Sequence, residues 1–232
     1  AIMMTASSPV FAAGGGDLMH VDINVRDTAA VQRGARLFVN YCLSCHEASY
    51  MRYNRLVEDL GLEEDDVMEN LVFSDAKIGD RMEIAMRPQD AEAWLGKTPP
   101  NLSLVARSRG TDWLYTYMMT FYEDESGGWN NLALPNASMP HVMWQLQGIQ
   151  KPFYAKDDAG HETIDHLVVY ESGLQSPEEY ESTVKDLVTF LDYLAEPAKL
   201  KRTNIGIWVL LFLGLFTGVA YLMKSEFWRD VH

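Results

Sequence analysis

The chain has little cysteine and few basic residues, and each shortage excludes a class of protein. Two cysteines occur among its 232 residues, so a structural zinc site, which needs four ligands and usually a second Cys or His pair, is not expected. Lys and Arg number 19 against 33 Asp and Glu, which gives a net charge of −14. Nucleic-acid binding needs a basic face, so no nucleic-acid partner is expected.

The acidity is unevenly distributed along the chain. Residues 199–232 hold five bases and two acids, so residues 1–198 carry a net charge of −17. An acidic domain can attract a basic protein partner over a long range, but acidity also keeps a domain soluble. Charge alone leaves these two interpretations open.

Both cysteines lie in the motif Cys42-Leu43-Ser44-Cys45-His46. C-x-x-C-H is the attachment signature of haem c, in which each thiol forms a thioether with a haem vinyl group. His46 follows the second cysteine and is placed to bind the iron as the proximal ligand. A thioredoxin-like dithiol would need a βαβ context that the flanking sequence does not offer. The motif therefore predicts one covalently bound haem c, and no thiol remains for a disulfide.

The second axial position of the iron has several candidate ligands. Met139-Pro140 lies in a loop of low periodicity, residues 130–140, and proline can stiffen such a loop around a weakly bound thioether. His141 is the nearest rival, and three more distant histidines are further rivals: His20, His161 and His166. A Met ligand would raise the redox potential relative to a second His. The residues alone leave this choice open.

Two helices have clear boundary signals. Apolar spacing predicts a helix from Thr28 to Tyr41, N-capped by Asp27 and ending directly before the haem motif. A capping box at residues 176–179, with proline at the first helical position, predicts a second helix that ends before Pro197. Aromatic residues of the second helix are predicted to cross the first.

The middle of the chain gives weaker signals. Residues 112–122 are rich in Trp, Tyr and Met and predict a buried helix. Two apolar runs within residues 151–174 flank turn residues at 157–160, which favours a small β-hairpin.

A long uncharged run lies near the C-terminus, at residues 205–223. As a helix it would be about 28 Å long, close to the thickness of a bilayer core, so it predicts a transmembrane anchor. Residues 1–13 look like the tail of a secretory signal with a small-x-small site near Ala12. Because haem c is attached outside the bacterial cytoplasm, the haem domain is expected on the periplasmic side.

In order along the chain, several motifs resemble the cytochrome c1 family, the haem subunits of the quinol–cytochrome c reductase (cytochrome bc1) complexes. The resemblance covers about residue 17 to the C-terminus, and its haem motif alone is generic to cytochromes c. The segment Ala195-Glu196-Pro197 at the end of the second predicted helix is followed by a basic stretch and one C-terminal transmembrane run. This combination is far more specific to the family. The other segments that carry it are Arg33-Gly34, Phe38, Met86-Arg87-Pro88, Pro99-Pro100-Asn101-Leu102-Ser103, residues 105–110, Met139-Pro140 and Asp186-Leu187-Val188.

The resemblance implies a mostly α fold. It consists of a class I cytochrome c-like haem domain with loop insertions and a small β-hairpin, followed by one C-terminal transmembrane helix. Met139 is implied as the second axial ligand, and Arg109, with Arg107 as its neighbour, as the partner of a haem propionate. Asn101 and Leu102 are also implied as cofactor-binding residues. Asn101 stands where many members of the family have Asp, so no acidic role is implied there.

The resemblance also implies a function in electron transfer, with no bond-making catalysis by this chain. The haem would accept one electron from the Rieske iron–sulfur protein and pass it to a soluble or membrane-attached cytochrome c. Expected partners are therefore cytochrome b, the Rieske protein, that acceptor and membrane lipid, in a dimeric complex. Two alternatives are a membrane-anchored monohaem cytochrome c of another complex, such as an oxidase, and a haem enzyme or sensor with an open sixth site.

Four segments follow from these expectations. Residues 1–16 form a signal-like N-terminal segment, and residues 17–200 form the periplasmic haem c domain. Residues 201–225 form the transmembrane anchor, and residues 226–232 a cytoplasmic tail. The chain is expected to be a single-pass protein of the bacterial inner membrane, since its short middle region and lack of extra cysteines suggest a bacterial form.

Overall fold

Helices provide most of the regular structure of the chain. The computed structural model describes residues 18–156 and 160–230. Its helices are α1 (Thr28–Tyr41), α2 (Asn54–Leu60), α3 (Glu64–Leu71), α4 (Pro88–Leu95), α5 (Val105–Arg109), α6 (Thr111–Met119), α7 (Trp144–Gln147), α8 (Pro177–Ala195) and α9 (Lys199–Phe227). Its strands are β1 (Ala48–Arg52), β2 (Arg81–Met82), β3 (Phe121–Glu123), β4 (Trp129–Asn131), β5 (Gly148–Lys156) and β6 (Glu162–Ser172). The mostly α prediction is confirmed.

The strands form three two-stranded antiparallel sheets, β1–β2, β3–β4 and β5–β6. The chain divides into two compact units. The first contains residues up to Ile23 together with Ala106–Val188, and the second contains Asn24–Val105 together with the residues from Thr189 onward. The haem motif and the membrane helix belong to the second unit, and Met139 belongs to the first.

The core of the second unit is built on α1. Asp27 caps this helix, since its side chain accepts a hydrogen bond from the backbone N–H of Ala30 at 3.1 Å. Three residues on its apolar face are fully buried: Val31, Ala35 and Phe38. The rings of Phe38 and Phe190 lie 5.4 Å apart, so the end of α8 packs on α1. The predicted helix bounds and the aromatic contact between the two helices are confirmed.

A buried carboxylate, Asp59, joins three elements of the second unit. Its Oδ2 accepts hydrogen bonds from Arg55 Nε at 2.8 Å and Tyr193 Oη at 3.0 Å, and Lys201 Nζ lies 3.2 Å from its Oδ1. Burial by itself would raise the pKa of Asp59, but the hydrogen bonds from Arg55, Lys201 and Tyr193 outweigh it and lower that pKa. The Asp59 cluster, these four side chains, thus ties α2 to the end of α8 and the start of α9.

The first unit holds the beginning of α8, whose predicted capping box is confirmed. The backbone N–H of Ser176 donates to Glu179 Oε2 at 2.8 Å, and the backbone N–H of Glu179 donates to Ser176 Oγ at 3.2 Å. One turn further on, the buried Tyr180 hydroxyl donates to the backbone carbonyl of Met118 at 3.1 Å. This bond connects α8 to α6.

The helix predicted at residues 112–122 is too long. The helix α6 ends at Met119, and the next residues form β3, which pairs with β4 from Phe121↔Asn131 to Glu123↔Trp129. Thr120 marks the boundary, because its backbone N–H still bonds to Thr116 while its φ and ψ of −114° and 28° leave the helix. Pairing with a strand six to ten residues away decides the conformation here, and the local composition does not show it.

The predicted β-hairpin is confirmed as β5 and β6, whose register runs from Gly148↔Ser172 to Lys156↔Glu162. Residues 157–159 of its predicted turn lie outside the described residues.

At the base of this hairpin two glycines allow a close crossing of backbone segments. A Cβ on Gly148 would collide with the Glu171 carbonyl oxygen, and one on Gly173 with the Leu146 carbonyl oxygen.

The C-terminal helix α9 is exposed along nearly all its length beyond Leu200, and its most apolar stretch has a mean hydropathy of 2.2. Among the described residues it is the one helix long and apolar enough to cross a membrane, which confirms the predicted C-terminal span. The signal-like segment predicted at residues 1–13 lies outside the described residues.

Candidate haem-binding site

The C-x-x-C-H motif forms a compact turn at the end of α1. The backbone N–H of Cys42 donates to the Phe38 carbonyl at 2.8 Å, which closes the helix. The N–H groups of Cys45 and His46 then donate to the Cys42 carbonyl at 3.0 and 2.8 Å. Both thiols are free, with Cys42 buried and Cys45 partly exposed. The turn therefore brings both thiols and the imidazole into one short stretch anchored on a helix.

One ring nitrogen of His46 is held by the backbone. Its Nδ1 lies 2.8 Å from the carbonyl oxygen of Pro100, which can only accept, so Nδ1 carries the proton. The other nitrogen, Nε2, then presents a lone pair, the form in which imidazole binds a metal. Burial lowers the pKa of His46 and the Pro100 carbonyl opposes this shift more weakly, so the ring is neutral at pH 7.

Residues 99–103 form the support behind His46. The Leu102 N–H donates to the Glu47 carbonyl at 2.8 Å, and Asn101 Nδ2 donates to Glu47 Oε1 at 2.8 Å and to Ser49 Oγ. The Ser103 N–H donates to Asn101 Oδ1 at 2.8 Å. The structure therefore brings Asn101 and Leu102 beside the haem motif, where Asn101 ties the segment that carries Pro100 to the chain after His46. Sequence reasoning missed Pro100, Glu47 and Ser49 as supports, since nothing local links positions 54 residues apart.

Met139 lies in the first unit, at the end of a loop stabilised by two asparagines. The fully buried Asn131 accepts at its Oδ1 from the N–H groups of Ala133 and Leu134 at 2.9 and 3.1 Å, and its amide donates to the Tyr117 carbonyl at 2.7 Å. Asn130 accepts at its Oδ1 from the N–H of Asn136 at 2.8 Å. Met139 itself is partly exposed. Sequence reasoning missed this support, although the two adjacent asparagines were a signal for it, because Asn commonly bonds to nearby backbone. They end β4, so the loop begins one residue later than Asn131 and not at residue 130 as predicted.

His141 is fully buried in what we call the aromatic box, formed by Phe121, Trp129 and Tyr180. Its ring stacks on Phe121 with centroids 4.9 Å apart and planes at 4°. Trp129 and Tyr180 meet it edge-on at 5.4 and 6.4 Å. Both ring nitrogens are buried and make no hydrogen bond of ordinary geometry among the described residues, although the side chain of Gln147 interacts weakly with the ring. Burial lowers the pKa of His141 to about 4, so the ring is neutral.

The other histidine rivals lie on the surface. His20 Nδ1 lies 3.0 Å from Asp112 Oδ2, and this carboxylate raises the pKa of His20. His166 Nδ1 lies 2.8 Å from Asp165 Oδ2, and His161 is exposed near the start of β6.

The two arginines of the predicted site occupy the C-terminal half of α5 and are exposed. The guanidinium of Arg109 lies over the Trp113 ring, 4.9 Å from its centroid. Arg107 stands on the same short helix. Both belong to the first unit, as Met139 does, whereas Cys42, Cys45, His46, Asn101 and Leu102 belong to the second.

The donor set of the second unit fits haem c. Two free thiols are spaced as C-x-x-C, and the adjacent imidazole already has its Nδ1 proton engaged, so Nε2 is left for iron. Over residues 22–231 the chain matches the model described as the Cytochrome C1 family.

The chain belongs to the cytochrome c1 family. It is 46% identical to a cytochrome c1 of Allochromatium vinosum, over 99% of this chain and 96% of that protein. It is 45% identical to a protein named ammonia monooxygenase gamma subunit of Nitrosomonas europaea, over 97% of this chain and 94% of that one. A cytochrome c1 of Rhodospirillum rubrum is 28% identical over 88% and 83% of the two chains.

Membership of the family confirms the predicted resemblance. The chain is an electron-transfer haem protein of the cytochrome bc1 complex, which also contains cytochrome b and the Rieske protein. Haem c is covalently bound in this family, and α9 anchors the chain in a membrane.

Proposed function

We propose that this chain takes single electrons from the Rieske iron–sulfur protein and passes them to a soluble or anchored cytochrome c. One haem c bound through Cys42 and Cys45 would supply the one-electron ferric/ferrous couple. The observation that carries the proposal is the bond from His46 Nδ1 to the Pro100 carbonyl, because it prepares Nε2 as an iron ligand. The residues around it orient the imidazole and limit its motion.

Met139 is proposed as the second axial ligand. Three observations support it: the family resemblance, the partly exposed side chain, and the loop fixed by Asn130 and Asn131. Its nearest rival, His141, has a fully buried ring that stacks on Phe121 and meets Trp129 and Tyr180 edge-on. A thioether favours ferrous iron and so suits an acceptor of relatively high potential.

The remaining site residues have supporting roles in the proposal. Arg109, with Arg107 beside it, would pair with a haem propionate, since an exposed guanidinium that is already oriented by Trp113 loses little freedom on binding a carboxylate. Asn101 would keep the Pro100 carbonyl in place, and Leu102 would contact the macrocycle.

The topology is part of the same proposal. Residues 17–200 would form the periplasmic haem domain, residues 201–225 the membrane anchor and residues 226–232 the cytoplasmic tail, with residues 1–16 as a signal-like segment. The support is chemical, because haem c is attached outside the bacterial cytoplasm. The complex would be dimeric in the inner membrane.

A co-purification experiment tests the function. The full-length chain, carrying an affinity tag after residue 232, is isolated from membranes in mild detergent. We expect b-type haem and a Rieske-type electron-spin-resonance signal in the same fraction, and reduction of haem c by quinol that stops when the Rieske protein is removed. Co-purification with a haem–copper oxidase, or with an ammonia-oxidising complex as the name of one relative suggests, would contradict the proposal.

A second experiment tests the axial ligand. Met139→Leu should remove the weak far-red sulfur-to-iron band of the oxidised protein, allow carbon monoxide to bind the reduced protein and lower the potential. Met143→Leu, at a fully buried methionine in the same unit, is the matched control and should change none of these. If the band survives in Met139→Leu, another residue is the ligand. Carbon monoxide binding in the unaltered protein would favour the enzyme or sensor alternative.

A further inference from the structure

We propose that His141 is a positioning residue for Met139: its caged ring fixes the C-terminal end of the ligand loop, residues 132–141, and so holds the thioether where iron can bind it. The proposal rests on the ligand role of Met139 proposed above. His141 then supports the ligand instead of competing with it.

The cage comes from three separate elements. Phe121 belongs to β3, Trp129 to β4 and Tyr180 to α8, and all three rings contact the His141 ring. The stacked pair is parallel within 4°, and the His141 side chain is among the largest fully buried ones. A ring held by three elements cannot turn without disturbing the core of the unit, because protein interiors are close-packed.

The fixed ring lies very near the proposed ligand along the chain. Two trans peptide units join the Cα atoms of Met139 and His141, a reach of at most about 7.6 Å. The residue between them is Pro140, whose ring fixes its own φ and removes one of the few free torsions. On the other side, the His141 carbonyl accepts from the Trp144 N–H at 3.2 Å and opens the turn into α7. A displacement of His141 is therefore transmitted to Met139.

The far end of the ligand loop has a different kind of support. There, Asn130 and Asn131 hold the backbone through side-chain hydrogen bonds to Ala133, Leu134 and Asn136. These bonds stop three residues before Met139. At the Met139 end, ring packing of His141 takes over the role that hydrogen bonds have at the other end.

The support comes from the shape of the ring, not from its nitrogens. Neither ring nitrogen makes a hydrogen bond of ordinary geometry among the described residues, and the side chain of Gln147 interacts with the ring only weakly. Replacing a buried polar group that makes no hydrogen bond with an apolar group of the same shape is close to neutral or stabilising. Phenylalanine at position 141 should therefore preserve the position of Met139, whereas alanine should not.

The test compares four variants of the full-length holoprotein: His141→Ala, His141→Phe, Met139→Leu and Val184→Ala. Val184 is as fully buried as His141, lies in the same unit and has no ring, so it controls for general loss of core packing. The far-red band per haem, the midpoint potential and carbon monoxide binding are measured for each. We expect His141→Ala to lose about half or more of the band and to bind carbon monoxide, as a shift toward unligated loop conformations requires. His141→Phe and Val184→Ala should keep all three properties.

The outcomes separate the two proposals. If Met139→Leu loses the band but His141→Ala keeps it, the positioning role is wrong and the ligand assignment stands. If Met139→Leu keeps the band, the ligand assignment itself is wrong. Loss of the band in His141→Phe would overturn the ring-packing account in favour of a contact through the ring nitrogens. If His141→Ala does not accumulate as holoprotein, Phe121→Leu removes the stacked ring and should weaken the band in the same way; an unchanged band there would also overturn the proposal.

Discussion

At the scale of single residues, one backbone carbonyl prepares the chemistry of the haem motif. The Pro100 carbonyl accepts a hydrogen bond from His46 Nδ1–H, so the ring has one tautomer and a defined orientation before any metal is bound. Asn101 holds the carbonyl in place through its bonds to Glu47 and Ser49. A ligand fixed in this way loses little conformational entropy on binding iron.

The two cysteines give the simplest prediction at this scale. Cys42→Ala and Cys45→Ala should each leave one thioether and a less stable holoprotein, and the double variant should have no covalent haem. Haem staining after denaturing electrophoresis measures this directly. Ser44→Ala, inside the motif but without a role in attachment, is the control. Staining that survives in the double variant would show that haem is not attached here.

A glycine at the base of the hairpin gives a second prediction. Gly148 has a φ of +92°, and a Cβ there meets the Glu171 carbonyl and the Gly173 backbone. Gly148→Ala should therefore lower the free energy of unfolding by about 3 kcal/mol or more, from backbone strain and the collision together. Gly96 has a φ of +74° but open space around it, so Gly96→Ala should cost about 1 kcal/mol. Chemical denaturation compares the two, and equal losses would contradict the collision.

At the scale of elements, the Asp59 cluster joins three helices of the second unit. It links α2 to the end of α8 and to the first turn of α9. Further bonds act at the same junction, from Lys199 to Asp192 and from Arg202 to Glu196, each at 2.6 Å. Charged groups thus fix the start of α9 to the rest of the second unit. The remainder of α9 is exposed.

Removing the charge of Asp59 should destabilise this junction. Asp59→Asn is expected to lower the free energy of unfolding by about 2–3 kcal/mol, because Arg55 and Lys201 lose their shared acceptor charge. Asp90→Asn, which breaks a surface pair with Arg87 at 2.7 Å, should cost less than about 1 kcal/mol. Thermal unfolding of the two variants measures the difference. Similar small losses would mean that the cluster contributes little.

The same carboxylate predicts a dependence on pH. The folded state lowers the pKa of Asp59, so its contribution to stability is complete above its unfolded value of about 3.9 and is lost as the pH falls through the lower folded value. The difference in melting temperature between the unaltered protein and Asp59→Asn should therefore be constant from pH 5 to 7 and shrink below about pH 4. A difference that grows in acid would contradict the assigned sign.

At the scale of the whole molecule, the apolar helix and the acidic remainder are separate parts of one chain. Ending the chain after Asn204 removes the exposed apolar run but keeps the contacts of Lys199, Lys201 and Arg202, and the 2.7 Å bond from Arg26 to Thr203. The truncated protein should be water-soluble and keep its haem. The full-length chain should resist extraction by carbonate, and its release by salt alone would argue against a true membrane anchor.

The acidity of the molecule gives a prediction about the acceptor. The first turn of α3 carries the exposed residues Glu64, Asp65 and Asp66, whereas Glu123 lies 3.5 Å from Lys151 and is partly neutralised. If the acceptor is basic, its rate of reduction by the truncated protein should fall as salt shortens the Debye length to about 10 Å at 0.1 M. Neutralising Glu64 and Asp65 should flatten that slope more than Glu123→Gln does. Stopped-flow measurements over a salt series give the dependence of the rate on ionic strength for each variant. A rate of the unaltered protein that does not change with salt would indicate an apolar or acidic acceptor.

Most features with a cause among neighbouring residues could be predicted from the sequence. The haem motif, the bounds of α1 with its Asp27 cap, the capping box at Ser176 and the membrane helix were all predictable. In each case the cause lies within one helical turn or in one continuous apolar run. The hairpin β5–β6 also followed, because its strands are close in sequence and separated by turn residues.

Apart from the packing of α8 on α1, which was predicted, the features that join distant residues became visible only in the folded structure. The Pro100 carbonyl reaches His46 across 54 positions, and Tyr193 reaches Asp59 across 134. The early end of α6 and the enclosure of His141 likewise depend on β4 and α8, which the local sequence around them does not specify. Hydrogen bonds and ring contacts of this kind form when separate elements pack together, so their partners are set by the fold as a whole and not by spacing along the chain.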